Sequence, residues 1–209
     1  YFGALAFLDV ALVAAGLFTA PIWVLLISRF AYGHAIGPVQ VMAVALGFVG
    51  VILVLGPEAL GGASMAALLP ILAGALYALG NIATREWCGE ESAQTLLAGF
   101  FGALGIIGAV GMVALTLFPL EVPVGPDGFL QRGPVWASGE FYFWTFVQAA
   151  GSLIGVGFMI RAYQITDASR ASVLEYVILP ASAFWTWVIW GKGLEPLAVL
   201  GMVLIVAAG

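Results

Sequence analysis

Charge is what this sequence has least of. Of its 209 residues, six are Lys or Arg and eleven are Asp or Glu, together 8%, where an ordinary soluble domain carries about 25%. The six basic residues stand singly, without a run or patch, and the formal net charge is −5; that excludes a nucleic-acid surface. There is one histidine and one cysteine. His34, in a turn, and Cys88, after a helix end, cannot assemble a His/Cys metal site, and a lone cysteine excludes a disulfide within the chain. No glycine-rich loop ends in Lys-Ser/Thr, which excludes an ATP-driven pump. Gly151-Ser152-Leu153 lacks the second glycine of a nucleophile elbow, and no histidine lies in an apolar run to activate the serine. Neither an enzyme nor a cofactor is therefore expected. The chain opens on Tyr1 without a charged leader region and stops at Gly209 inside an apolar run, so it is expected to be a piece of something longer, cut at both ends.

What the sequence has in abundance is apolar length. Hydrophobic residues make up 63% and the mean hydropathy is +1.13, the composition of an all-α polytopic membrane protein whose surroundings are a lipid bilayer. After an apolar stub closed by Asp9, expected spans run over 10–31, 39–55, 66–84, 93–118, 141–165 and 171–190, with a clipped seventh over 194–208. Pro21 interrupts the first span, which a membrane helix tolerates because neighbours satisfy the freed carbonyl. Gly33 to Pro38 reads as a tight turn, Pro57-Glu58 as part of a short loop, and 119–139 as the one long outer loop. Gly99, Gly102, Gly105, Gly108 and Gly111 suggest close helix packing, although a spacing of three drifts around the helix. If the spans alternate, Arg29, His34, Arg85, Arg161 and Arg170 share one side and Arg132 and Lys192 the other. By the positive-inside rule the first side is cytoplasmic. Arg161 and Arg170 then read as topology anchors rather than solute contacts.

One carboxylate stands inside an expected span. Glu175 lies in Ser172-Val173-Leu174-Glu175-Tyr176, and a charged group in hydrocarbon costs at least about 2.5–3.5 kcal/mol, so such residues face a bundle interior or a wet cavity. Ser172, Ser182 and Thr186 fall at i−3, i+7 and i+11 and extend the polar face. Tyr77, Asn81 and Thr84 share a face of the third span, and Thr145, Gln148 and Ser152 a face of the fifth. Interhelical hydrogen bonding accounts for any one of these, at about 0.6 kcal/mol per bond. Three polar stripes together point to a central cavity in which Glu175 responds to a proton or cation and Tyr176, Tyr77, Asn81, Gln148 and Ser172 offer neutral hydrogen bonds. Trp187 and Trp190, near a helix end, suit the interfacial belt. Trp23 and Trp185 lie deeper, beside Pro21 and Pro180, and are equally suited to lining the cavity and to facing lipid.

A repeat is more specific than any of these residues. Pro21 is followed by Gly33-His34-Ala35-Ile36-Gly37-Pro38, and Pro180 by Gly191-Lys192-Gly193-Leu194-Glu195-Pro196. Each copy then enters a short glycine-containing span, and each is preceded by an aspartate, Asp9 or Asp167. The two units begin five spans apart, so their turns lie on opposite sides of the membrane. This is the inverted-topology symmetry of many secondary transporters, whose sites lie near the midplane. The pattern resembles the EamA-type half of the drug/metabolite transporter superfamily over nearly the whole chain, most strongly from Arg161 to Gly209, and Leu174-Glu175 matches a Leu-Glu pair common there. Where that family has Gly-Glu in each turn, this chain has Gly33-His34 and Gly191-Lys192.

The resemblance implies an inverted five-plus-five helix repeat, here truncated to the end of helix 3 through helix 10. Residues 1–86 would be the remainder of the N-terminal repeat and 87–209 the C-terminal repeat. It implies a secondary transporter of small metabolites, amino-acid-like or drug-like, working by alternating access. Export, a bacterial inner-membrane location and a homodimer are further expectations. A non-transporting scaffold or receptor subunit is the alternative, against which the polar stripes speak. The residue matching Glu175 in the first unit is Gly16, so the coupling chemistry is expected in the second.

Overall fold

The computed structural model describes the chain except residues 1, 7, 57–64, 123, 126–127, 129–130, 192 and 194, and without the side chains of Phe2, Ala6 and Trp190. The expected loop at Pro57-Glu58, and the placement of Lys192 and the Trp190 side chain, lie outside the described residues. Within them there is helix and no strand. Six helical stretches are long and apolar enough to cross a membrane: Val10–Phe30, Pro38–Leu55, Met65–Trp87, Ala93–Leu117, Gly139–Ile165 and Ala168–Ile189. The expected seventh span is a helix of thirteen residues, Pro196–Ala208. Tyr1 to Leu8, read as a helix end, contains a short 3₁₀ segment, Phe2–Ala6.

The first span is two helices, α1 (Val10–Leu17) and α2 (Ala20–Phe30), separated at Phe18 and Thr19. Pro21 lacks an N–H and its ring crowds the carbonyl four residues back, so the ladder cannot run through Leu17. The hydroxyl of Thr19 donates to the Gly16 carbonyl at 2.6 Å and that of Tyr176 to the Phe18 carbonyl at 3.2 Å, which is how a break survives where water is absent. α3 (Pro38–Leu55), α4 (Leu68–Trp87), α5 (Ala93–Leu117) and α6 (Gly139–Ile165) follow. The last broken span is α7 (Ala168–Leu174), a 3₁₀ turn at Glu175–Val177, and α8 (Ile178–Trp190); α9 (Pro196–Ala208) ends the chain. Pro180 frees the Tyr176 carbonyl as Pro21 frees that of Leu17. Both units also turn on a left-handed glycine, Gly33 at φ 69° and Gly191 at φ 61°, five residues before a proline in the first turn of the next helix.

α2 and α7 sit between two buried clusters. One joins α2, α4, α6 and α7 through Val24, Ala78, Ile82, Tyr163 and Ala171. The other joins α2, α3, the 3₁₀ turn and α9 through Leu25, Val44, Val51, Tyr176 and Ile205. α3 and α9 cross closely at Gly50 and Gly201, where a Cβ on either would meet the other's carbonyl oxygen at 2.6 Å. In a bilayer such contact gives dispersion energy that lipid tails do not match.

The glycines of α5 behave otherwise. None of the five expected to mediate close packing has an atom within 4 Å of where its Cβ would lie, and α5 has no buried residue. The physical reason is the drift already noted: a spacing of three turns each glycine about 60° from the last, so no single face is available to a neighbour.

Candidate functional site

Glu175 occupies the first position of the 3₁₀ turn, where α7 gives way to α8. Its Oε1 accepts a hydrogen bond from the Tyr163 hydroxyl of α6 at 2.5 Å and from Asn81 Nδ2 of α4 at 3.4 Å. Tyr163 is 1% exposed and Asn81 is buried, while Glu175 is half-buried. Beside the carboxylate is a cavity of about 450 Å³ whose walls come from both helix breaks, Phe18, Ala20 and Pro21 from the first and Leu174, Val177 and Ile178 from the second, together with Tyr77 and Met159. Its size is that of a small-molecule site, apolar with few polar groups. No Arg, Lys or His lines it among the described residues, so the one charged side chain at its wall is acidic.

The sequence-predicted residues divide sharply. Asn81 and Tyr77 meet Glu175: one bonds it, and the other lines the same cavity with its hydroxyl donating to Met159 Sδ at 2.9 Å. Trp23 packs half-buried against the α2–α4–α6–α7 cluster rather than at the cavity wall. Ser172 is buried, and its hydroxyl is spent on the Ser169 carbonyl at 3.3 Å. Tyr176, adjacent in sequence to Glu175, points the other way, into the α3–α9 cluster.

Ser182 and Thr186 do not continue the face of Glu175; their hydroxyls return to carbonyls four residues back, at 2.7 and 2.8 Å. A 3₁₀ turn advances about 120° per residue against 100° in an α-helix, so three residues rotate everything beyond them by about 60°. Gln148 and Trp185 also stay outside the site. Gln148 is exposed, fifteen residues or about 22 Å along α6 from Tyr163, and Trp185 is 57% exposed, ten residues or about 15 Å along from Glu175. Alanine at either position is expected to change transport by less than about 0.5 kcal/mol in apparent activation energy, measurable as near-wild-type initial rates.

Tyr163 is the functional candidate that sequence reasoning passed over. A signal was present: Ser152, Val156, Met159 and Tyr163 continue the stripe of Thr145 and Gln148 at spacings of four and three. The N-terminal half of that face is exposed, and α4 and α7 cover its other end. Tyr163→Phe removes one of two bonds to Glu175 while keeping the ring, and is expected to slow solute flux by up to about tenfold; unchanged rates would show the bond to be only structural.

The position matching Glu175 in the first unit has no room for a side chain. A Cβ on Gly16 would meet Pro70 Cβ at 2.6 Å. α4 thus closes over α1 where the cavity opens over α7.

Fold and site together define a multi-pass integral membrane protein, with helices and no strand among the described residues and a half-buried carboxylate at a helix break. No family model matches the chain. It is 26% identical over 91% of its length to a riboflavin transporter of Rhizobium johnstonii. It is 23% identical over its whole length to the pseudopaline exporter CntI of Pseudomonas aeruginosa, and 23% identical over 82% to a riboflavin transporter of Brucella anthropi. It spans 57%, 67% and 56% of those proteins respectively. These relatives are named as transporters and not as enzymes, and all are bacterial, in keeping with a bacterial inner-membrane protein. A crystal structure of a protein 22% identical in sequence superposes with a TM-score of 0.70, over 99% of this chain and 70% of that one, which establishes a shared fold.

Proposed function

We propose that this chain is the core of an EamA-type secondary transporter of the drug/metabolite superfamily, moving a small metabolite by alternating access through the cavity at Glu175. The observation that carries the reading is the meeting of both helix breaks at one cavity, with a half-buried carboxylate at its wall. Broken helices expose carbonyls and polar side chains at membrane depth only where they line protein or a water-filled path, and transporter sites are built there. The matching turn geometry at Gly33 and Gly191 supports an inverted repeat with its boundary near residue 86. The transporter names of the relatives support a small-metabolite solute and, through the pseudopaline exporter, export.

In this reading Glu175 takes a proton or a donor group of the solute in one state and gives it up in the other, while Tyr163 and Asn81 orient the carboxylate. Tyr77, Met159 and the apolar wall hold the rest of the solute. A carboxylate with no cation beside it among the described residues disfavours anionic groups at that point of the wall.

The test is flux of riboflavin and of a mixed amino-acid and metabolite panel by the intact protein in proteoliposomes, with and without an imposed pH gradient. Flux of at least one panel member above protein-free vesicles is expected. Absence of flux for every member, from folded protein that instead co-purifies with a stable partner, would favour the scaffold reading.

A further inference from the structure

Beyond the Glu175 cavity, a group of polar residues at one end of the bundle belongs to none of the sites described so far. The buried residues Val24, Ala78, Ile82, Tyr163 and Ala171 form a floor between the cavity and the bundle end that carries Arg29, His34, Arg85 and Arg170. Beyond that floor, the C-terminus of α4 meets the α2–α3 and α6–α7 turns. Arg85 Nη2 lies 2.9 Å from Asp167 Oδ1, and its Nη1 donates to the Thr166 carbonyl. Glu86 Oε1 is shared by His34 Nε2 at 3.6 Å and Arg85 Nε at 3.9 Å. Arg170 Nε stands 3.9 Å from Asp167 Oδ2, and Gln40 Nε2 of α3 donates to Ser169 Oγ of α7 at 3.1 Å. His34, Gln40, Arg85, Asp167 and Ser169 line a polar recess of about 260 Å³.

We propose that Arg85, held by Asp167 and Thr166, is the bolt of a gate that shuts the Glu175 cavity from the basic end of the bundle, with Gln40–Ser169 as its second fastening. Three features distinguish a gate from general surface pairing. Its bonds join segments on the two sides of residue 87, the same halves that contribute the two breaks to the cavity. The bolt itself is joined to the elements that line the cavity: Tyr77 and Arg85 are eight residues apart on α4, and Asp167 and Glu175 eight apart across α7, each about 12 Å along the axis. Finally, Arg85 is 27% and Asp167 57% exposed, and a pair so wetted can part at small cost. Opening at this end requires α7 to leave α3 and α4, and the Arg85–Asp167, Arg85–Thr166 and Gln40–Ser169 bonds must break for it to do so.

The inference rests on the transport reading only in supposing a route through the cavity. Its test uses neither solute nor Glu175, so failure of the carboxylate's role and failure of the gate are told apart. In intact protein carrying Cys88→Ser, Ala14→Cys at the cavity wall reports access. A membrane-impermeant maleimide is added from one face at a time in right-side-out and inverted vesicles. Labelling from the basic end is expected to be slow in the parent, and faster by about fivefold or more when Arg85→Gln or Asp167→Asn breaks the bolt. The exchanged pair, Arg85→Asp with Asp167→Arg, should bring the rate back toward the parent. Gln40→Ala, which leaves no unpaired charge behind, should move it in the same direction by a smaller factor. Equal labelling from the basic end in all of these, with labelling from the opposite face unaltered, would overturn the gate, as would an exchanged pair no slower than the single variants.

Discussion

Replacing Glu175 with glutamine is expected to reduce solute flux by roughly 30-fold or more, the largest functional effect of any single substitution in this chain. The size follows from what the carboxylate does. Among the described residues it is the one charged group at the cavity wall, and deleting a charged partner from a hydrogen-bonded pair in a desolvated site costs about 2–5 kcal/mol. Glutamine keeps the volume and can still accept from Tyr163 and Asn81, so the fold should survive and the loss should appear in transport rather than expression. Glu175→Asp, which keeps the charge but draws it back by one methylene from Tyr163, should fall between the two. Initial rates in proteoliposomes at matched protein density measure all three; a glutamine variant as fast as wild type would remove Glu175 from the mechanism.

The largest stability effect is expected at the crossing of α3 and α9. A Cβ on Gly201 would meet the Gly50 carbonyl oxygen at 2.6 Å and Leu53 Cβ and Val54 Cγ2 at 2.9 Å. The first obstacle is backbone, which cannot rotate aside, so Gly201→Val must drive the helices apart and forfeit their packing. A cost of about 1–3 kcal/mol is expected from overpacking alone, read as a lower melting temperature of the purified protein in detergent. Gly105→Ala is the control: its Cβ would meet nothing within 4 Å, and its melting temperature should hold or rise. Equal melting of the two variants would contradict the described crossing.

These two sites show what the sequence disclosed and what it withheld. Glu175 was legible because a carboxylate in an apolar run is costly, and Asn81 and Tyr77 because helical spacing put them on one face. The breaks at Pro21 and Pro180 follow from the missing N–H of proline and needed no tertiary information. What periodicity does not contain is which stretch of a polar face is covered. Gln148 and Tyr163 share a side of α6, yet burial rises toward Tyr163 because α4 and α7 cross there.

Nor does periodicity survive a change of helix type. The 3₁₀ turn at Glu175–Val177 rotated Ser182 and Thr186 off the face that straight-helix counting assigned them. Glycines were misread for a related reason. The run in α5 is conspicuous in sequence but has no neighbour within 4 Å of its Cβ positions, whereas Gly50 and Gly201 each face the other's carbonyl oxygen across a helix crossing. Helix packing depends on what lies opposite a small residue, and a single chain read in order does not say.

The central claim, that the cavity between the two breaks carries solute and that Glu175 couples it, is tested most directly by one comparison. Flux of a panel solute into or out of proteoliposomes is measured with and without an imposed pH gradient, for wild type and Glu175→Gln side by side. The account predicts that the gradient accelerates wild-type flux and leaves the residual flux of Glu175→Gln unchanged. Equal acceleration in both proteins would contradict it and place the coupling elsewhere in the chain.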